Sequence, residues 1–174
     1  MEHVMTAMPW SNTVDVVTIP GSAVREMLEH SVSQYDADHP DPGGRFLQVS
    51  GIEVHYDTNA QIGNRVREVK VKVGQDLVPL VDSDTYEVAV LSFMVKGGDG
   101  YSMIPNNLIE HRNTGFLDND LLVAYLKEQS PLGEPIAGRI FLDSSTSSAV
   151  SYFIHQNLFL LKFLALSFIS VLLL

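Results

Sequence analysis

The chain has 174 residues, 45% of them hydrophobic, which suits one domain with a core large enough to fold without staples. Eleven Lys and Arg against twenty-one Asp and Glu give a formal charge of −10 at pH 7, which repels a phosphate backbone and argues against a nucleic-acid partner. With no cysteine there can be no disulfide framework, thiolate metal site or Cys nucleophile, and cysteine usage leaves the redox compartment open.

Taken in chain order, Thr13 to Ile19 (TVDVVTI) is short, β-branched and stopped by Pro20-Gly21, so a strand is predicted. Ser22 can cap a helix over about Ala23 to Gln34, where Ala23, Val24, Met27, Leu28, Val32 and Tyr35 recur at helical spacing and face a sheet. Asp36 to Gly44 (DADHPDPGG) is a loop; Pro40 and the lack of a Glu at the twelfth position defeat a calcium-loop reading. Phe46 to Val49 and Ile52 to Tyr56 flank Ser50-Gly51 and are expected to form a half-buried strand pair. Val66 to Val73 alternates with Arg67, Lys70 and Lys72 outward, and Tyr86 to Leu91 is expected to be a strand buried on both faces. After a Gly-bearing loop from Ser92 to Pro105, Leu117 to Glu128 predicts a helix with acidic residues in its first turn and Leu121, Leu122, Tyr125 and Leu126 on one side. The order of elements implies an α+β domain over residues 1–142, a mixed, largely antiparallel sheet flanked by helices.

From 143 onward the composition changes abruptly. The small residues Ser144, Ser145, Ser147, Ser148 and Ala149 precede a short spacer and then the apolar run Leu158 to Leu174, broken by Lys162, Ser167 and Ser170. Small residues, a spacer of roughly 8 to 12 and an apolar tail of roughly 10 to 20 form the pattern of a GPI-attachment signal. Ser144 is the preferred attachment residue, because two small residues follow it, with Asp143, Ser145 and Ser147 as alternatives. A retained tail anchor and a buried core helix are the competing readings, although the run is short for a span and lacks a basic flank. An anchor signal acts on a chain already exported, yet Met1 to Asn12 has no apolar export segment. The expectation is therefore a piece of a longer, secreted protein.

Few residues invite catalysis. The six histidines include no His-x-x-x-His pair, so local spacing builds no metal site. Glu29-His30-Ser31 has the residue types of a hydrolytic relay, but helix neighbours diverge by about 100° each and cannot meet, so a structural role is expected. Lys96-Gly97-Gly98-Asp99-Gly100-Tyr101 is more informative: its glycines let backbone and ligand approach closely and present Asp99 uncovered. By itself it is either a plain turn or a ligand loop, and Phe93 ahead of it is either core or a platform for a base.

Together these segments resemble the C-terminal domain of the 5'-nucleotidase family, which includes ecto-5'-nucleotidases, apyrases of blood-feeding arthropods and bacterial UDP-sugar hydrolases. Three blocks carry the resemblance: Met8-Pro9-Trp10-Ser11-Asn12-Thr13-Val14-Asp15 running on to Leu28-Glu29-His30-Ser31-Val32; Phe46 to Ile52 with Tyr56-Asp57; and Phe93 to Tyr101. It extends from Glu2 to about Ile140. The resemblance implies a domain that clamps a nucleoside base between two aromatic rings and holds the ribose with a carboxylate. By motif position Phe93 is one ring, Trp10 replaces the Phe that usually supplies the other, and Asp99 is the carboxylate, with Gly97 and Gly98 shaping its loop. The partners implied are nucleosides or nucleoside 5'-phosphates.

The departures are equally informative. The family's Asn-Gly-Gly-Gly-Ile-Arg segment, which contacts base and phosphate, is not in this sequence. Neither is the N-terminal metallophosphatase domain, where two divalent metals, zinc the first expectation, activate water. No residue here is carried over as catalytic, and no metal or cofactor is expected on this chain. Ser11 and Ser92 stand where the family usually has Gly and often Asn, and a cysteine pair of the vertebrate membrane enzyme near Val73 to Val78 is missing. The tail favours the ecto-5'-nucleotidase branch, placed on the outer face of the plasma membrane; a homodimer is one arrangement it allows. The rival function is a non-catalytic, membrane-anchored module that binds nucleosides without hydrolysing them.

Overall fold

A computed structural model describes residues 2–36, 38, 44–134, 137–143 and 170–173. After a short helix α1 (Glu2–Ala7), the chain runs through β1 (Val14–Pro20), α2 (Gly21–Val32), β2 (Gln48–Ser50), β3 (Ile52–Asp57), β4 (Val66–Val73), β5 (Asp76–Pro79) and β6 (Thr85–Leu91). The turns α3 (Ser92–Val95) and α4 (Met103–Asn106) follow, then β7 (Glu110–Arg112), α5 (Asp118–Gln129), β8 (Ile140–Asp143) and β9 (Ser170–Leu173). The strands form two sheets, ordered β2-β9-β6-β1-β7 and β5-β4-β3-β8. Pairing is antiparallel except for β2 with β9 and β3 with β8, so the α+β, largely antiparallel expectation holds, with two sheets in place of one.

The core lies where α2 meets both sheets. Its Ala23, Val24, Met27, Leu28 and Val32 are buried, packing with Val17 and Ile19 of β1, Val54 and Tyr56 of β3, and Val69 and Val71 of β4. Burying each large apolar side chain contributes about 1.5–3 kcal/mol, so this helix is a substantial part of the cohesion of the fold. Ser22 is not its cap: the helix begins one residue earlier, and no side chain caps it. The N–H groups of Gly21 and Ser22 instead donate to the carbonyls of Asp84 (2.8 Å) and Asp82 (3.0 Å), which meet the need that a capping hydroxyl would have served. At the other end the Arg65 guanidinium donates to the carbonyls of Val32 (2.7 Å), Tyr35 (3.0 Å) and Ala60 (3.2 Å).

Four further expectations need correcting. The runs around Ser50-Gly51 are not a strand pair: Gly51, at φ +73°, turns the chain so that β2 joins one sheet and β3 the other. β6 is buried over Val88, Ala89 and Val90, but its first residues are exposed or half-buried. Ser92 to Pro105 is not a plain loop, since it winds through α3, a 3₁₀ turn at Gly98–Gly100 and the start of α4. In α5 the predicted apolar side is only partly covered, Leu122 and Leu126 being half-buried and Leu121 and Tyr125 exposed, while Asp118 and Asn119 are its buried residues.

Most of the loop at 36–44 and all of 144–169, including Ser144, lie outside the described residues. Of the apolar tail, Ser170–Leu173 is described as β9, pairing with β2 on one side and β6 on the other. Among the described residues no helix is long and apolar enough to cross a membrane.

Candidate functional site

The residues singled out by sequence spring from one end of the first sheet. β1 and β6 pair in register to Val14 opposite Leu91, and the ladder continues as the Ser92 N–H donates to the Thr13 carbonyl (2.8 Å). The Thr13 N–H in turn donates to Ser92 Oγ at 3.3 Å. Trp10 lies three residues before this junction and Phe93 one residue after it, so the backbones that carry both rings are rooted side by side. Both rings are solvent-facing, Trp10 79% exposed and Phe93 44%.

The Trp10 loop is held from the β7–α5 side. Ser11 takes a left-handed φ of +49°, the Asp118 N–H donates to the Asn12 carbonyl (2.9 Å), and Asn119 Nδ2 donates to Ser11 Oγ (3.3 Å). The buried first turn of α5 therefore does more than complement a helix dipole. At the start of β1, Thr13 Oγ1 donates to Asp15 Oδ1 (2.7 Å) and His111 Nε2 lies 2.7 Å from Asp15 Oδ2, so this buried carboxylate is satisfied on both oxygens. Thr114 Oγ1 donates to the Val14 carbonyl and the Val14 N–H to that of Phe116, fixing the opposite edge.

The glycine loop has tighter constraints. Gly97, Asp99 and Gly100 all have positive φ, at +83°, +52° and +87°. Asp is among the few non-glycine residues that visit this region, at a cost of about 1–2 kcal/mol. A Cβ on Gly98 would sit 2.4–2.5 Å from three ring carbons of Phe93, so the ring rests directly on this glycine's backbone. Met94 and Val95, buried behind it, anchor the turn that carries the ring. Asp99 itself is exposed. Tyr101 is fully buried beneath the loop and its hydroxyl donates to the Arg45 carbonyl; burial raises the phenol's pKa, with Tyr56 and Asp99 adding to the effect.

The Glu29-His30-Ser31 triplet points in three directions, as helical spacing requires. Glu29 accepts the N–H groups of Arg65 (3.0 Å) and Val66 (2.7 Å), while Ser31 donates to the Leu28 carbonyl (2.8 Å) and lies 3.2 Å from the Tyr56 hydroxyl. There is no relay. His30, however, reaches the glycine loop, with Nε2 2.8 Å from the Asp99 carbonyl oxygen. That role is invisible to local spacing because the partner lies 69 residues away.

The candidate site thus brings together two exposed aromatic rings and an exposed carboxylate. Among the described residues no group of three or more His, Asp or Glu side chains converges as metal ligands would. A cleft of about 350 Å³ lies beyond the C-terminus of α2, lined by Tyr35, Asp36, Thr58, Asn59 and Arg65 among others. It lies apart from the aromatic loops, and its guanidinium is already engaged by carbonyls.

The family model of the 5'-nucleotidase C-terminal domain matches residues 1–106, which takes in Trp10, Phe93 and the glycine loop. Protein 5NUC of Lutzomyia longipalpis is 38% identical over 138 residues, covering 76% of this chain and 23% of that protein. The 5'-nucleotidase of Homo sapiens is 32% identical over 143 residues, covering 80% and 24%. Among solved structures, a 5'-nucleotidase precursor from Thermus thermophilus superposes with a TM-score of 0.74 at 35% identity, over 80% of this chain and 27% of the other. The Haemophilus influenzae NAD nucleotidase shares the fold at a TM-score of 0.68 and 21% identity, over 82% and 26%. The chain spans about a quarter of the length of these relatives. On both sequence and fold, it belongs to the 5'-nucleotidase C-terminal domain family.

Proposed function

We propose that this chain grips the nucleoside of a nucleoside 5'-phosphate for an extracellular 5'-nucleotidase whose hydrolytic chemistry belongs to a metal-bearing domain joined to it. The observation that carries the reading is the rooting of two exposed rings, Trp10 and Phe93, at neighbouring strand ends beside a presented Asp99. A base between the rings gains about 1–3 kcal/mol per stacking contact without depending on its identity. The Asp99 carboxylate can accept both hydroxyls of a ribose diol in charge-assisted bonds. Gly98 lets the Phe93 ring lie against the loop backbone, and Gly97, at φ +83°, supplies the turn that presents Asp99. The relatives named as 5'-nucleotidases support hydrolysis as the activity of the whole protein.

The test is titration with adenosine and AMP, followed by NMR or calorimetry. Phe93→Ala or Trp10→Ala should each weaken binding about 5- to 150-fold, the equivalent of the stacking energy. Unchanged affinity in both variants, or no binding by the wild-type chain, would sink the reading.

We infer further that the protein is exported and GPI-anchored through Ser144, an assignment supported by the small-residue cluster and the apolar run Leu158 to Leu174. Cleavage after Ser144 would remove β9 with the rest of the tail. Expressed on cells, the protein should be released by a phosphatidylinositol-specific phospholipase; surface protein that resists the enzyme would refute the anchor.

A further inference from the structure

The Asp99 carbonyl oxygen lies 2.8 Å from His30 Nε2. A carbonyl can only accept, so Nε2 carries the proton of this bond. The same imidazole stands edge-on to Tyr101, with ring centroids 4.8 Å apart and planes at 78°. It also fills the space that a Cβ on Gly100 would need, 2.9 Å from both Cε1 and Nε2. One side chain therefore meets three consecutive residues of the glycine loop.

The loop needs such a support. Its own hydrogen bonds are short-range, Gly100 N–H to the Gly97 carbonyl (3.2 Å), Tyr101 to Gly98 (3.1 Å) and Ser102 to Gly100 (2.8 Å). They close a turn, and the buried Tyr101, bonded to the Arg45 carbonyl, anchors its C-terminal end, but none of these bonds holds left-handed Asp99 itself, which is costly to hold. His30 sits on α2, the helix buried against both sheets, so the bond from its ring transfers the rigidity of the core to the one backbone carbonyl that belongs to Asp99.

We propose that His30 is a positioning residue for the nucleoside site: by holding the Asp99 carbonyl and leaning on Tyr101, it fixes the direction in which the Asp99 carboxylate meets the ribose. This rests on the nucleoside reading above. The carboxylate serves the sugar hydroxyls, so the effect of His30 is confined to ligands that carry them.

The experiment compares adenosine with 2',3'-dideoxyadenosine on the full chain, wild type against His30→Phe and His30→Gln. Phe retains a ring against Tyr101 but cannot donate; Gln retains a donor. His30→Phe should weaken adenosine about tenfold, the upper end of what loss of one hydrogen bond to a backbone carbonyl implies, while dideoxyadenosine changes less than about twofold. His30→Gln should restore most of the adenosine affinity. Amide exchange provides a second readout that needs no ligand: in His30→Phe the Gly100, Tyr101 and Ser102 amides should exchange about tenfold faster, with those of β1 unchanged. Equal weakening of both ligands, unchanged adenosine binding in His30→Phe, or unchanged loop exchange would each overturn the proposal. If the wild-type chain binds neither nucleoside, the nucleoside reading itself fails, an outcome that the exchange data keep distinct from a failed His30 link.

Discussion

α2 and α5 are both twelve-residue helices, yet they join the fold in opposite ways. α2 buries seven residues between two sheets, most of them apolar, whereas the buried positions of α5 are Asp118 and Asn119 at its first turn. Each helix supports one side of the candidate site. From α2, His30 reaches the Asp99 loop; from α5, Asn119 and the Asp118 N–H reach the Trp10 loop. The carboxylate side of the grip is therefore fastened to the core, and the Trp10 side to a peripheral helix through polar bonds. Under the proposed nucleoside reading, this difference predicts one jaw held fast and one more compliant.

The largest test of this contrast is stability. Met27→Ala in α2 should cost about 2–5 kcal/mol, because a fully buried side chain leaves a cavity between two sheets, whereas Leu121→Ala in α5 should stay within about 0.5 kcal/mol. Urea unfolding followed by circular dichroism measures both. Comparable losses would erase the distinction between an anchored and a peripheral helix.

A smaller effect belongs to the α2 side alone. Tyr56, beside Ser31, and Tyr101, beside His30, have phenols raised well above their ordinary value of about 10, chiefly by burial. In the unfolded chain these protons leave near pH 10 while the folded chain retains them, so the unfolded state binds fewer protons above that pH. Stability should be level up to about pH 9 and then fall, by about 1.4 kcal/mol per pH unit for each tyrosine. Tyr101→Phe should reduce that alkaline slope, and an unaltered slope would show that Tyr101 ionises without unfolding its surroundings.

The sequence made the α2 side legible and left the α5 side obscure, for a physical reason. Val24, Met27, Leu28 and Val32 repeat at the helical period and are all buried, because burial of an apolar stripe is a local pattern with a global result. Leu121 and Tyr125 obey the same period yet remain exposed, because among the described residues nothing covers them. Residue type in the Gly97–Gly100 loop pointed to the ligand end, but the bonds that hold the site, His30 to Asp99 and Asn119 to Ser11, span 69 and 108 residues. Spacing carries no trace of such pairs. The same limit made β2 and β3 look like partners, since alternation specifies a strand and its faces but not the sheet it joins.

The finest test addresses the compliant jaw itself. Trp10 is the sole tryptophan in the chain, so its fluorescence reports this loop and nothing else. Asn119→Ala removes the bonds of Nδ2 to Ser11 Oγ and to Met5 Sδ at the edge of the domain, and it should lower global stability by about 1–2 kcal/mol. It should nonetheless lower the fluorescence anisotropy of Trp10, because the loop loses one of its tethers to α5 while the Asn12 carbonyl still accepts from Asp118. In His30→Phe the same anisotropy should stay at the wild-type value, since His30 acts on the opposite jaw. If both substitutions free the tryptophan equally, the two loops move as one body and the asymmetry between α2 and α5 has no bearing on how the grip closes.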